Sequence, residues 1–124
     1  MNRRCLAGWA MAAALLGAGV VAQAAPPPKV QAEVNALLAG IEASGCTFHR
    51  NGTWHDSKAA AAHLRDKYDY LAARDLIVTT EDFIERAATR SSLSGQAYEV
   101  KCGDAPAVGS SGWLNDQLAH LRPH

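Results

Sequence analysis

Five histidines, a run of serines and two well-separated cysteines are the residues of this chain whose chemistry could be put to work. His120 and His124 stand at the i, i+4 spacing of a helical metal-ligand pair, and His49 and His55 straddle a turn. A zinc site also needs further nitrogen, sulfur or carboxylate donors, and neither an HExxH nor a CxxC accompanies them. Solvated or hydrogen-bonded histidines are therefore expected, with no metal and no cofactor. His63 differs because it borders the apolar face of a helix, with Arg65 and Lys67 close in sequence. Ser91, Ser92 and Ser94 supply hydroxyls that His63 could activate as a base, which would make a small hydrolase. No GxSxG elbow or SxxK pair supports that chemistry. Serines at a helix end explain the segment through backbone hydrogen bonds alone.

The cysteines say more. Cys5 falls in an N-terminal stretch that reads as an export signal, leaving Cys46 and Cys102. In that stretch Arg3 and Arg4 precede an apolar, alanine-rich run from Leu6 to Ala22, and Ala22-Gln23-Ala24 provides the small residues a signal peptidase recognises. Cleavage after Ala24 of a Sec-type signal peptide (1–24) is expected, with periplasmic or secreted delivery of a single domain, 25–124. The apolar run is about 17 residues long, short for a membrane span, and no span is expected after cleavage. An even cysteine pair in an oxidising compartment suggests one disulfide, the alternative being two separate buried thiols.

Without Arg3 and Arg4, ten basic side chains face twelve acidic ones, a net charge near −2 with neutral histidines. The signs alternate, so no basic stripe exists to neutralise phosphates along a nucleic acid, and none is expected as a partner. One hundred residues suffice for one small core, and a monomer is expected.

Four helices and two strands must position these groups. Val30, Val34, Leu37, Leu38 and Ile41 fall on one face of a helix spanning Lys29 to Ser44, which Gly45 stops. From Cys46 to Arg50 the period becomes two, and Asn51-Gly52 ends that strand as a turn. Asp56 or Ser57 caps a second helix whose buried face is Ala60, Leu64, Tyr68 and Leu71, leaving Arg65, Asp66, Asp69 and Arg74 in water. Thr79 with Asp82 forms a capping box for a third helix, and Val78 with Phe83 stand where a hydrophobic staple requires. Period two returns from Gln96 to Cys102. Laid antiparallel to the first strand, it sets Cys46 opposite Cys102, Phe48 opposite Val100 and Arg50 opposite Tyr98. One register thus serves both the apolar face and the disulfide. A loop from Gly103 to Gly112 leads to a last helix capped by Ser111, with Trp113, Leu114, Gln117, Leu118 and Leu121 on one side and Pro123 ending it.

The fold class expected is α+β, three to four helices packed on a two-stranded antiparallel ribbon with one disulfide. Pairing Arg50 with Tyr98 brings the Asn51-Gly52 and Ser94-Gly95 turns to one end of the ribbon. Arg50, Asn51, Trp54, His63, Arg65, Ser91, Ser92, Ser94 and Tyr98 then form a candidate polar patch, for binding or simply for fixing the two turns.

The segments Phe48-His49-Arg50-Asn51-Gly52, Ala62-His63-Leu64-Arg65-Asp66-Lys67 and Thr80-Glu81-Asp82-Phe83-Ile84 occur in that order, followed by Ser91-Ser92-Leu93-Ser94-Gly95-Gln96-Ala97-Tyr98. Together they resemble the YfeK-like family of small exported bacterial proteins, over most of the chain from Val30 to Leu121. The resemblance implies export from a bacterial cell. It implies no activity, because that family is a domain of unknown function without assigned catalytic residues. The functional expectation is therefore a non-enzymatic envelope module that binds a protein, a peptide or an envelope component, with the serine hydrolase as the competing reading.

Overall fold

Two prolines, Pro26 and Pro27, precede the first helix, and a third, Pro28, starts it. In the computed structural model, which describes residues 25–123, α1 spans Pro28–Ala43 with Pro28 in its first turn. There the missing N–H would have had no helical partner. All five residues of its apolar stripe are buried, with Val34 and Ile41 wholly so. The helix ends where the Ser44 hydroxyl donates to the Ile41 carbonyl (2.7 Å) and Gly45 takes φ +68°. That left-handed turn costs glycine nothing and delivers Cys46 to the sheet. The export signal expected over 1–24 and the side chain of His124 lie outside the described residues.

The ribbon has two more strands than expected. β1 (Thr47–Arg50), β2 (Thr53–His55), β3 (Glu99–Lys101) and β4 (Val108–Gly109) form one antiparallel sheet in the order β2-β1-β3-β4. Asn51 and Gly52, at φ +49° and +82°, form a two-residue hairpin loop that folds Thr53–His55 back onto β1. Positive φ at both loop positions matches the twist of paired strands. At the other edge, the chain turns after Cys102 with Gly103 at φ +58°, and Val108 and Gly109 pair with Val100 and Glu99. Both added strands are short and largely exposed, so neither carries an alternating apolar pattern.

The register between the two expected strands is the one the cysteines implied. Phe48 pairs with Val100 and Thr47 with Lys101, and one step further Cys46 and Cys102 are joined by a disulfide with Cα atoms 4.4 Å apart. That separation suits a closely spaced, non-hydrogen-bonded antiparallel pair. Toward the other end the ladder stops at His49 and Glu99. The Tyr98 N–H donates to the Thr89 carbonyl and the Tyr98 carbonyl accepts from Ser110, both at 2.9 Å. Arg50 and Tyr98 are consequently not a ladder pair, although both keep the face set by Phe48 and Val100.

α2 (Ser57–Ala72) is capped by the Asp56 carboxylate, which accepts from the Ala59 N–H, and buries Ala60, Ala61, Leu64 and Tyr68. α3 (Thr80–Ala87) carries the expected capping box, but Val78 is 63 % exposed while Phe83 is fully buried. The staple between them therefore contributes little, and Ile77 enters the core instead. α4 runs Ser110–Leu121 and starts one residue before the expected cap, with Gly109 as N-cap. It buries Leu114 and Leu118, whereas Leu121 stays exposed. α2 packs on β1 and α4 on β3 and β4, while α1 contacts α2, α3 and α4. The core lies between, where Phe83 meets Tyr68 edge-on at 5.7 Å and Phe48 meets Trp113 at 5.8 Å.

Candidate functional site

A helix presents residues four apart on the same side, so α2 directs His63 and Lys67 together. They converge on Tyr98, which precedes β3 and is itself buried. The Lys67 ammonium donates to the Tyr98 hydroxyl oxygen and to the Arg90 carbonyl, both at 3.1 Å, and lies 5.0 Å from the centre of the Tyr98 ring. His63 Nε2 is 3.3 Å from the same hydroxyl, its ring edge-on to the tyrosine. Arg50, the last residue of β1, joins them in lining a cleft of about 180 Å³, together with Ser92 and the almost fully exposed Leu93. A neighbouring recess of about 210 Å³ shares His63, Lys67 and Ser92 and adds Asp66, Tyr70 and Leu71. Behind Tyr98 a further recess of about 20 Å³ holds at most a water.

The serine turn is built around Asn51. Its amide donates to the Ser91 hydroxyl at 3.0 Å and accepts from the Ser94 hydroxyl at 2.5 Å. The Ser91 oxygen also accepts the backbone N–H groups of Leu93 and Ser94. Buried and bonded on three sides, Ser91 shapes the loop. The contact a serine nucleophile requires is not made among the described residues, because the ring nitrogen of His63 meets Tyr98.

The charges in the cleft are mostly positive. Burial holds the His63 imidazolium below its ordinary range, and the Arg50 and Lys67 cations lower it further, against an opposing pull from Asp66. Burial and Arg50 likewise lower Lys67. The Tyr98 phenol is raised by burial, against Arg50, so it stays protonated at neutral pH. A neutral His63 therefore accepts the Tyr98 O–H while the Tyr98 oxygen accepts from Lys67, a directed chain of donors.

Of the nine residues of the expected patch, Arg50, Asn51, His63, Ser91, Ser92 and Tyr98 line this cleft, and Ser94 braces it through Asn51. Trp54 and Arg65 do not belong. Trp54 pairs with His49 across the hairpin, its ring 4.9 Å from the imidazole, which puts it on the sheet face opposite Phe48 and Arg50. Arg65, two residues beyond His63 on the helix, turns to α1 and donates to Asn35 at 2.7 Å. Lys67 is the residue the patch lacked; its i+4 spacing from His63 was the available signal. His49 and His55 occupy opposite faces of the sheet, and His120 Nδ1 lies 2.7 Å from the Asp116 carbonyl. Among the described residues no three histidine, cysteine or carboxylate side chains gather as metal ligands, and no helix is long and apolar enough to cross a membrane.

The model of a family of unknown function, DUF5329, matches residues 28–122. Over 69 residues the chain is 39 % identical to the uncharacterized protein YfeK of Salmonella typhimurium, a stretch covering 55 % of this chain and 56 % of that protein. The chain thus spans about half the length of the curated relative it matches. No solved structure matches it.

Proposed function

Because the chain belongs to the DUF5329 family, whose function is unknown, its task must be read from its own surface, and we propose that it is an exported, non-enzymatic binding module of the bacterial cell envelope. The observation that carries this reading is the cleft at Tyr98. Arg50, Lys67 and His63 meet there in a preformed recess, while the nearby serine hydroxyls are engaged in holding the loop. Such a site recognises and retains a group; it holds no assembled nucleophile and base. The export signal read in residues 1–24 and the disulfide both suit an oxidising compartment outside the cytoplasm.

The partner is an envelope component, a protein or a peptide that enters the cleft. Affinity capture from a periplasmic and envelope extract, with the wild-type protein beside an Arg50→Ala/Lys67→Ala variant, tests the reading. A component enriched by the wild type and lost by the variant is the expected result. Enrichment of nothing, or of the same material by both proteins, would defeat it. Fractionation of cells expressing the full chain tests export, with the shortened, oxidised protein expected outside the cytoplasm.

A further inference from the structure

Several cationic side chains elsewhere among the described residues have acceptors or rings to meet. Arg122 grips two glutamates, Arg90 reaches Glu85, Arg65 meets Asn35, and Arg74 lies 3.5 Å from the centre of the Tyr70 ring. Half-buried Arg50 has no ion pair among the described residues, and the lining of its cleft contains no carboxylate. Lys67 donates two of its three N–H groups to the Arg90 carbonyl and the Tyr98 hydroxyl, which leaves the third. Two cations gathered in a partly desolvated recess repel each other, and an anion between them relieves both.

We propose that this cleft is a binding site for a phosphate monoester group, held by Arg50, Lys67 and the Tyr98 hydroxyl, and that it closes on its ligand when His63 takes up a proton. The proposal rests on the binding-module reading above and names the chemistry of its ligand. The charge matches, since the Arg50 guanidinium and the Lys67 ammonium together balance a dianion. The donors match too: a guanidinium fork, the remaining ammonium N–H and one hydroxyl face three terminal phosphate oxygens.

The role of His63 follows from the donor chain. With the imidazole neutral, the single Tyr98 O–H is spent on His63 Nε2. Once protonated, Nε2 becomes a donor to the Tyr98 oxygen, and the Tyr98 O–H is released to the ligand. The groups facing His63 are Arg50 of β1, His55 of β2, Asp66 and Lys67 of α2, and Tyr98. Among them the Asp66 charge alone favours the imidazolium. An arriving anion adds a second negative charge, so anion binding and proton uptake assist each other by the same factor.

Calorimetric titration of the purified protein between pH 7.5 and 5.5 separates the parts of this proposal. Sulfate serves as the probe for pH because its charge is constant there, while inorganic phosphate and acetate test the ligand class. Sulfate is expected to bind about tenfold tighter at the lower pH, a typical coupling. At pH 7.5 phosphate should bind and acetate should not. Arg50→Gln and Lys67→Met should each weaken sulfate about tenfold. His63→Gln should remove the pH dependence and Tyr98→Phe should reduce it to the part carried by the imidazolium charge, with folding of each variant checked by its NMR spectrum. Absence of anion binding, acetate binding equal to phosphate, or unchanged affinity in Arg50→Gln would overturn the proposal. If envelope capture still depends on Arg50 and Lys67 while no anion binds, the phosphate assignment alone falls. If capture also fails, the binding-module reading falls with it.

Discussion

Arg122, just past the end of α4, holds Glu33 of α1 with two donors, Nε to Oε2 at 2.9 Å and Nη2 to Oε1 at 3.0 Å, across 89 positions of sequence. Its Nη1 and Nη2 also reach Glu81 in the first turn of α3, and the buried Thr80 hydroxyl donates to Glu33 at 2.6 Å. One guanidinium thus closes three helices together. These contacts, with Arg122 and Thr80 foremost, hold the Glu33 carboxyl down at about 2.

Glu33→Gln should therefore lower stability at neutral pH by about 2 kcal/mol, the scale of charge-assisted hydrogen bonds, with the third-exposed Arg122 keeping the loss moderate. A carboxyl depressed in the folded state contributes fully above its unfolded value, near 4.5, and loses that contribution as pH falls toward 2. The difference between variant and wild type should shrink over that window. Urea unfolding at pH 7, 4.5 and 2.5 measures it, and a constant difference would contradict the assignment.

The Cys46–Cys102 bridge closes a loop of 57 residues counting both cysteines. Chain entropy puts its contribution at up to about 4 kcal/mol. Cys46→Ala/Cys102→Ala, or reduction of the wild type, should lower the unfolding midpoint by a corresponding amount while the sheet register persists, since Phe48 and Val100 remain buried partners. Denaturation with and without dithiothreitol checks the first point, and amide exchange in β1 and β3 the second. Loss of pairing at Phe48 upon reduction would show that the disulfide, not the apolar pair, sets the register.

That register was legible because two independent patterns, the cysteines and the alternating Phe48 and Val100, demanded the same alignment. The face of α1 was legible for a similar reason, five apolar residues repeating over three turns. β2 and β4 were not, because strands of three and two residues on a sheet edge expose Trp54 and Val108 and show no alternation. Missing β2 had a direct consequence for the site. Once Thr53–His55 folds back on β1, Trp54 shares the face of His49, and the cleft lies on the other. Lys67, named beside His63 but left out of the patch, reads from sequence as a solvated helix lysine; only the buried Tyr98 shows why this one is held.

Asn51 has two separable duties, a backbone at φ +49° and an amide that clamps the 91–94 turn. Glycine keeps the first and removes the second. Asn51→Gly should cost about 1 kcal/mol and speed amide exchange at Leu93 and Ser94 while leaving the hairpin paired. Asn51→Ala should cost about 1 kcal/mol more, because it must also hold a left-handed conformation. Equal stabilities for the two variants would mean that the backbone is not strained by a side chain here.

His63 offers the most direct reading of the field in the cleft. Burial comes first in lowering its titration midpoint, then Arg50 and Lys67, and Asp66 acts in reverse. Arg50→Gln should accordingly move the His63 midpoint up toward 6.5, and Asp66→Asn should move it down. The stability consequence has a definite sign. The unfolded chain binds the His63 proton first as pH falls, so this residue's contribution is intact above about 6.5 and is lost as pH descends through the folded midpoint. Arg50→Gln should flatten that loss, because it narrows the gap between the two midpoints. Ring-carbon NMR titration of His63 in the wild type and both variants measures these shifts. A midpoint indifferent to Arg50 would place the guanidinium outside the cleft's field and remove the charge on which anion recognition depends.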